Sequence, residues 1–125
     1  MKVKSKWMKS IVAEKSLAFA IRVVKACKFL SEKHKEFILS KQLLRSGTSI
    51  GALIKEAEHA QSKADFLNKM NVTLTEANET EYWLLLLKES KYLSDEEFQS
   101  LNKDCAELIR LIISIVKTTK SKLNK

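Results

Sequence analysis

The sequence predicts an all-α protein, an antiparallel up-down-up-down four-helix bundle, and three observations carry that prediction. First, 125 residues contain no proline and only two glycines, so the usual turn punctuation of β-rich folds is missing. Second, apolar residues recur every three or four positions over long stretches, with no sustained alternation. Third, there are four such stretches with short polar connections between them, and helices joined that way must fold back on their neighbours.

The first helix is expected from about Ser16 to Lys33. Leu17, Ala20, Ile21, Val24, Cys27 and Leu30 form its apolar stripe, while Arg22, Lys25 and Lys28 fall largely elsewhere. The second runs from about Phe37 to Ala60, with Leu43, Gly47, Ile50, Ile54 and Ala57 along one face; "SEKHKEF" offers it no clean cap. The third begins more sharply. Ser62 can cap while Asp65 stands three residues on, just before Phe66, and the apolar pattern continues through Met70, Leu74, Ala77, Leu84 and Leu85 to about Lys91. "SDEEF" repeats the device for the fourth helix: Ser94 caps, Glu97 holds the reciprocal position, and Asp95 and Glu96 place negative charge on the positive end of the dipole. Phe98, Leu101, Cys105, Leu108, Ile112 and Ile115 then form its stripe, and the helix ends among lysines.

A chain of this length is enough for one domain with a single core, and 45% hydrophobic and 30% charged residues read as globular. Cys27 and Cys105 stand far apart without C-x-x-C spacing, so they read as buried reduced thiols, not as a zinc site or a disulfide framework. The first residues begin like a secretory leader, but Glu14, Lys15 and Arg22 interrupt any apolar core. No run approaches a membrane span. A cytoplasmic protein without membrane contact is expected.

Charge is distributed unevenly. Residues 1–10 hold Lys2, Lys4, Lys6 and Lys9 and no acid, residues 117–125 hold Lys117, Lys120, Lys122 and Lys125 and no acid, and residues 11–116 balance at fifteen basic against fifteen acidic. The whole formal excess of +8 thus belongs to the two ends. In an up-down-up-down bundle the first helix starts where the fourth finishes, so both lysine-rich tails emerge at one pole, shared with the turn between helices two and three. Those eight lysines are the candidates for contact with nucleic-acid phosphates.

Other residues stand out against the pattern. Gly47 and Gly51 share a helix face, where each costs about 1 kcal/mol relative to alanine; they point to a close helix contact, either inside one bundle or with a second copy. Arg45, Glu56 and Glu81 lie beside or within apolar stripes, and a register that sets residue 45 opposite about 78 lets Arg45 reach Glu81 or Asn78 as a structural polar pair. Glu56 and His59 form one Glu-x-x-His, the unit that occurs twice in di-metal bundles; His34 has Ser31 three residues before it, so no second unit exists. No glycine-rich phosphate loop, nucleophile elbow or Cys/His pair is visible, and neither catalytic residues nor a cofactor or metal are expected. "YWLLLL" is apolar all round, and Tyr82, Trp83 and Leu86 are candidates for an outward contact between copies.

The stretches "SKQLLRSGTSIGALIKEA" and "QSKADFLNKMNVTLTEANETEYWLLLLKESKYLS" resemble the four-helix-bundle family of the 23S rRNA intervening sequence proteins, over about Leu17 to Thr119. Gln42, Arg45, Ser46, Ser49, Ile50, Glu56, Asp65, Phe66, Glu76, Glu81, Tyr82, Trp83 and Leu84 are the most specific part. The resemblance implies a bacterial four-helix bundle that assembles as a homopentameric ring and has no established enzymatic activity. It also implies kinship with the accessory variability proteins of diversity-generating retroelements, which are basic, bind nucleic acid and partner a reverse transcriptase. Two positions depart from the pattern: Leu53 replaces a frequent asparagine, and His59 with Ala60 stands where a glycine pair is common.

Together these features lead to the expectation of a non-enzymatic homo-oligomer that binds RNA or DNA backbone through its basic end. The alternative is a protein-interaction scaffold or accessory subunit whose tails aid solubility.

Overall fold

The computed structural model describes residues 11–124. It contains four helices, α1 (Ile11–Lys33), α2 (Ile38–Ala57), α3 (Lys63–Glu89) and α4 (Asp95–Leu123), and no strand among the described residues. Of the candidate lysines, Lys2, Lys4, Lys6, Lys9 and Lys125 lie outside the described residues.

Each helix packs on its two neighbours around the bundle, and cross-helix contacts fix every pair as antiparallel. Along α1 and α4, Lys15 meets Glu107 at 3.2 Å and Arg22 meets Asp104 at 2.7 Å, so position rises in one helix as it falls in the other. Between α1 and α2, Cys27 Sγ donates to the Ser40 carbonyl while Gly47 faces Val23 and Gly51 faces Ser16. Between α3 and α4, Cys105 Sγ lies 3.5 Å from the Ala77 carbonyl oxygen, and the Lys88 ammonium sits over the Phe98 ring. The pole at which α1 begins is therefore also the pole of the α2–α3 turn and of the α4 carboxyl end. Phe19, Leu30, Leu43, Ile50, Met70, Leu84, Leu108 and Ile112 are fully buried along the axis, each contributing about 1.5–3 kcal/mol relative to exposure.

The helix starts follow the capping chemistry. Ser62 accepts from Asp65 N at 3.0 Å, and at α4 the capping box is complete, with Ser94 N donating to Glu97 and Glu97 N donating to Ser94. The start of α2, for which no clean cap is expected from sequence, has one of another kind. The buried carboxylate of Glu36 accepts from Ile38 N, Leu39 N and Ser40 N at 3.1, 3.0 and 2.7 Å, satisfying three orphan amides of the first turn. Burial would raise this carboxyl, but the amide donors of Leu39, Ser40 and Ile38 and the Ser40 side chain outweigh it and hold the group below its ordinary value of 4.5.

Both glycines are used inside α2, so the left-handed positions that end α1 and α3 fall to Lys35 (φ 55°) and Lys91 (φ 72°).

Two elements depart from the predicted pattern: on α3 Leu85, expected in the stripe, is 45% exposed and Leu87 is buried in its place, and α1 departs more widely. Helix α1 runs from Ile11, earlier than Ser16, and its buried stripe is Val12, Ser16, Phe19, Val23, Cys27 and Leu30. Leu17, Ile21 and Val24, expected inside, are 64%, 49% and 49% exposed. Two stripes on α1 share the helical period, and periodicity does not choose between them; the choice is made by fit against α2. The stripe expected on α2 is buried throughout.

Candidate functional site

Helix α2 presents a bare face and a polar face. On the bare face, a Cβ at Gly47 would stand 2.9 Å from both γ carbons of Val23, which is fully buried, and a Cβ at Gly51 would stand 3.4 Å from Ser16 Oγ. Gly47 therefore serves close approach of α1 within one bundle, whereas a methyl at Gly51 would meet α1 at ordinary contact distance. On the polar face, the Thr80 hydroxyl lies 3.0 Å from that of Ser46 and 2.8 Å from the Glu76 carbonyl oxygen, and both side chains are fully buried. Outward of them, Arg45 pairs with Glu76 at 3.1 Å and with Glu79, Ser49 donates to Glu76 at 3.1 Å, and Trp83 Nε1 donates to Glu79 at 3.2 Å.

Arg45 thus forms a polar link between helices, but its partners are not Glu81 or Asn78. The Arg45–Glu79, Ser49–Glu76 and Ser46–Thr80 contacts set residue 45 opposite about 79 to 81, one to three residues from the expected register. Glu81 instead adds to the electrostatic field around Cys105 of α4. Glu56 and His59 are both exposed, away from the apolar stripe. Among the described residues no three His, Cys, Asp or Glu side chains gather as a metal site requires. Cys27 and Cys105 are free and buried, and burial, aided by Glu36 at the first and by Glu81 and Asp104 at the second, pushes each thiol up to about 12. Neither is a thiolate at neutral pH.

Trp83 and Leu86 are half-buried, Trp83 against the core, whereas Tyr82 is 56% exposed and meets Trp83 edge-on. Further outward apolar residues stand on α1 and α2. Leu17, Ile21 and Val24 on α1 and Leu44 on α2 are exposed beside a groove of about 370 Å³ lined by Ala13, Ala20, Thr48 and Ala52. Sequence reasoning misses it because it assigns that stripe to the core.

At the shared pole, Lys117, Lys120 and Lys122 project from the end of α4, and all three are exposed. Lys63 opens α3 beside them. Among the described residues none of these four takes part in an ion pair. A cleft of about 550 Å³ lies between the α2–α3 turn and α4, with Lys63 and Lys122 in its lining. No helix among the described residues is long and apolar enough to cross a membrane.

The model of a family described as 23S rRNA-intervening sequence protein matches residues 8–114. Among solved structures, this chain is similar to a protein of unknown function from the S23 ribosomal protein family of Bacteroides thetaiotaomicron VPI-5482, determined at 1.70 Å. The two share 58% identity with a TM-score of 0.85, over 86% of this chain and 96% of that one. No curated protein matches. Lys117, Lys120, Lys122 and Lys125 lie beyond the last matched residue, and Lys2, Lys4 and Lys6 precede the first.

Proposed function

This chain belongs to the 23S rRNA-intervening sequence protein family, and from that premise we propose that it is a non-enzymatic, homo-oligomeric bundle that binds the RNA or DNA backbone through its lysine-rich pole. The observation that carries the proposal is segregation of charge. The balanced body ends at a pole where Lys63, Lys117, Lys120 and Lys122 stand without ion-pair partners among the described residues, and in the sequence Lys2, Lys4, Lys6 and Lys9 precede α1. Lysines arrayed in this way contact phosphates, not base edges, so binding is sequence-tolerant and driven by counterion release.

The homo-oligomeric part draws on the outer face of α1 and α2, where Leu17, Ile21, Val24 and Leu44 form an apolar surface around a groove. Contiguous exposed apolar area of this kind marks an interaction surface. A pentameric ring, implied by the family resemblance, would gather five basic poles on one rim and multiply the field.

Filter retention of a mixed-sequence RNA at about 50 and about 200 mM salt tests the nucleic-acid part. Wild type should bind at low salt and lose most affinity at the higher. Replacing the eight tail lysines with glutamine should abolish retention, and unchanged retention would sink the proposal. The same apolar face favours a second reading, a scaffold or accessory subunit, for example of a reverse transcriptase. Under that reading Leu17→Asp with Ile21→Asp removes partner capture while the lysine changes do not.

A further inference from the structure

Building on the nucleic-acid reading of this pole, we infer that the cleft between the α2–α3 turn and the end of α4 seats one unpaired nucleotide of a single strand, base inward and phosphate on Lys63 and Lys122. Its chemistry differs from that of two other indentations in the surface. The groove between α1 and α2 carries Glu14 and Glu58 beside Lys55, and the cleft between α1 and α4 at the opposite pole carries Glu96 and Glu97 beside Arg22 and Lys25. The cleft at the basic pole has Lys63 and Lys122 and no acid at all in its lining.

Its shape suits the same ligand. About 550 Å³ is in the range of small-molecule sites. Ala57, Ala60 and Ile115, with Phe66, give it an apolar floor, and Ala57 and Phe66 are themselves buried, so the floor belongs to the core. Around the mouth stand the hydroxyls of Ser114 and Thr118, both on exposed positions of α4. An apolar floor takes a flat base face, hydroxyls serve the polar base edge, and two ammonium groups, one from α3 and one from α4, neutralise a phosphate. A base inside a duplex is paired and stacked and cannot enter. Its extraction costs unstacking energy that a single strand does not require. The cleft therefore adds to the pole what lysines alone do not give, a preference for unpaired nucleic acid.

The experiment uses the full chain and fluorescence anisotropy of a labelled single-stranded hexanucleotide and of a duplex of matched charge. Ser114→Leu and Thr118→Leu fill the cleft from exposed helix positions without changing charge or adding an aromatic face on which a base could stack, and circular dichroism checks the fold. Each should weaken single-strand binding about tenfold, the worth of one stacked base, and leave duplex binding unchanged. Lys63→Ala with Lys122→Ala should lower the salt slope for the single strand by about 0.7, the worth of the one phosphate no longer neutralised. Adenosine monophosphate should compete on the wild type and not on the filled variants, which separates occupancy by a free nucleotide from contact along the strand. Equal single-strand affinity of the filled variants and the wild type would overturn the seat. If replacing the tail lysines outside the cleft abolishes all binding while filling it changes nothing, the basic pole stands and the seat falls. If wild type binds neither probe at low salt, both fall.

Discussion

The two faces of α2 close on their neighbours by opposite means. Toward α1 the helix gives up side chains, and Gly47 and Gly51 let the fully buried Val23 and Ser16 come to van der Waals distance. Toward α3 it makes polar contacts, with Ser46 on Thr80 inside and Arg45 on Glu76 and Glu79 outside. The first face is sensitive to volume and indifferent to charge. The second sets register, because each donor and acceptor must meet a particular partner.

The largest effect should come from the bare face. Val23 is β-branched, buried and stiff at χ1, so it cannot yield to a new methyl, and Gly47→Ala should destabilise by about 1–3 kcal/mol in urea unfolding. Gly51→Ala, whose methyl meets Ser16 Oγ at 3.4 Å, the edge of ordinary contact, should be neutral or stabilising by up to about 1 kcal/mol through helix propensity. Equal losses at the two glycines would break the contrast between them.

On the polar face, Ser46→Ala or Thr80→Val alone disturbs a buried hydroxyl pair and should cost about 1–3 kcal/mol. The double variant should cost less than the sum of the singles, since no polar group is then left alone; simple additivity in the cycle would mean that the two hydroxyls are not coupled.

Glu36 decides where both faces begin, and its effect depends on pH. Its folded-state value lies below the ordinary 4.5, so the cap's contribution is fully present above about pH 4.5 and is lost as pH falls through the lowered value. Glu36→Gln should lose about 1 kcal/mol at pH 7 and flatten the acid limb of a stability profile; an unchanged limb would assign acid sensitivity to other carboxylates.

The smallest change is expected outside. Arg45 has half its side chain exposed, and Arg45→Met should cost no more than about 1 kcal/mol, less at high salt. A larger loss would move the register function from the buried hydroxyls to the ion pairs.

The sequence by itself determined the number and order of the helices, the caps at Ser62 and Ser94, the buried stripe of α2 and the confinement of excess charge to the chain ends. These depend on interactions within a turn or two, or on connections too short to permit another path, so local pattern carries them. Glu36 escaped because a carboxylate placed just before the usual cap position has no distinctive spacing. Tertiary structure alone decided which of two equally periodic stripes on α1 faces inward, which acids meet Arg45, and that Lys63 and Lys122 flank a cleft free of acids. Each of those outcomes turns on fit between helices distant in the chain: a stripe enters the core when the surface opposite has room for it, and the room for Val23 is the missing side chain of Gly47.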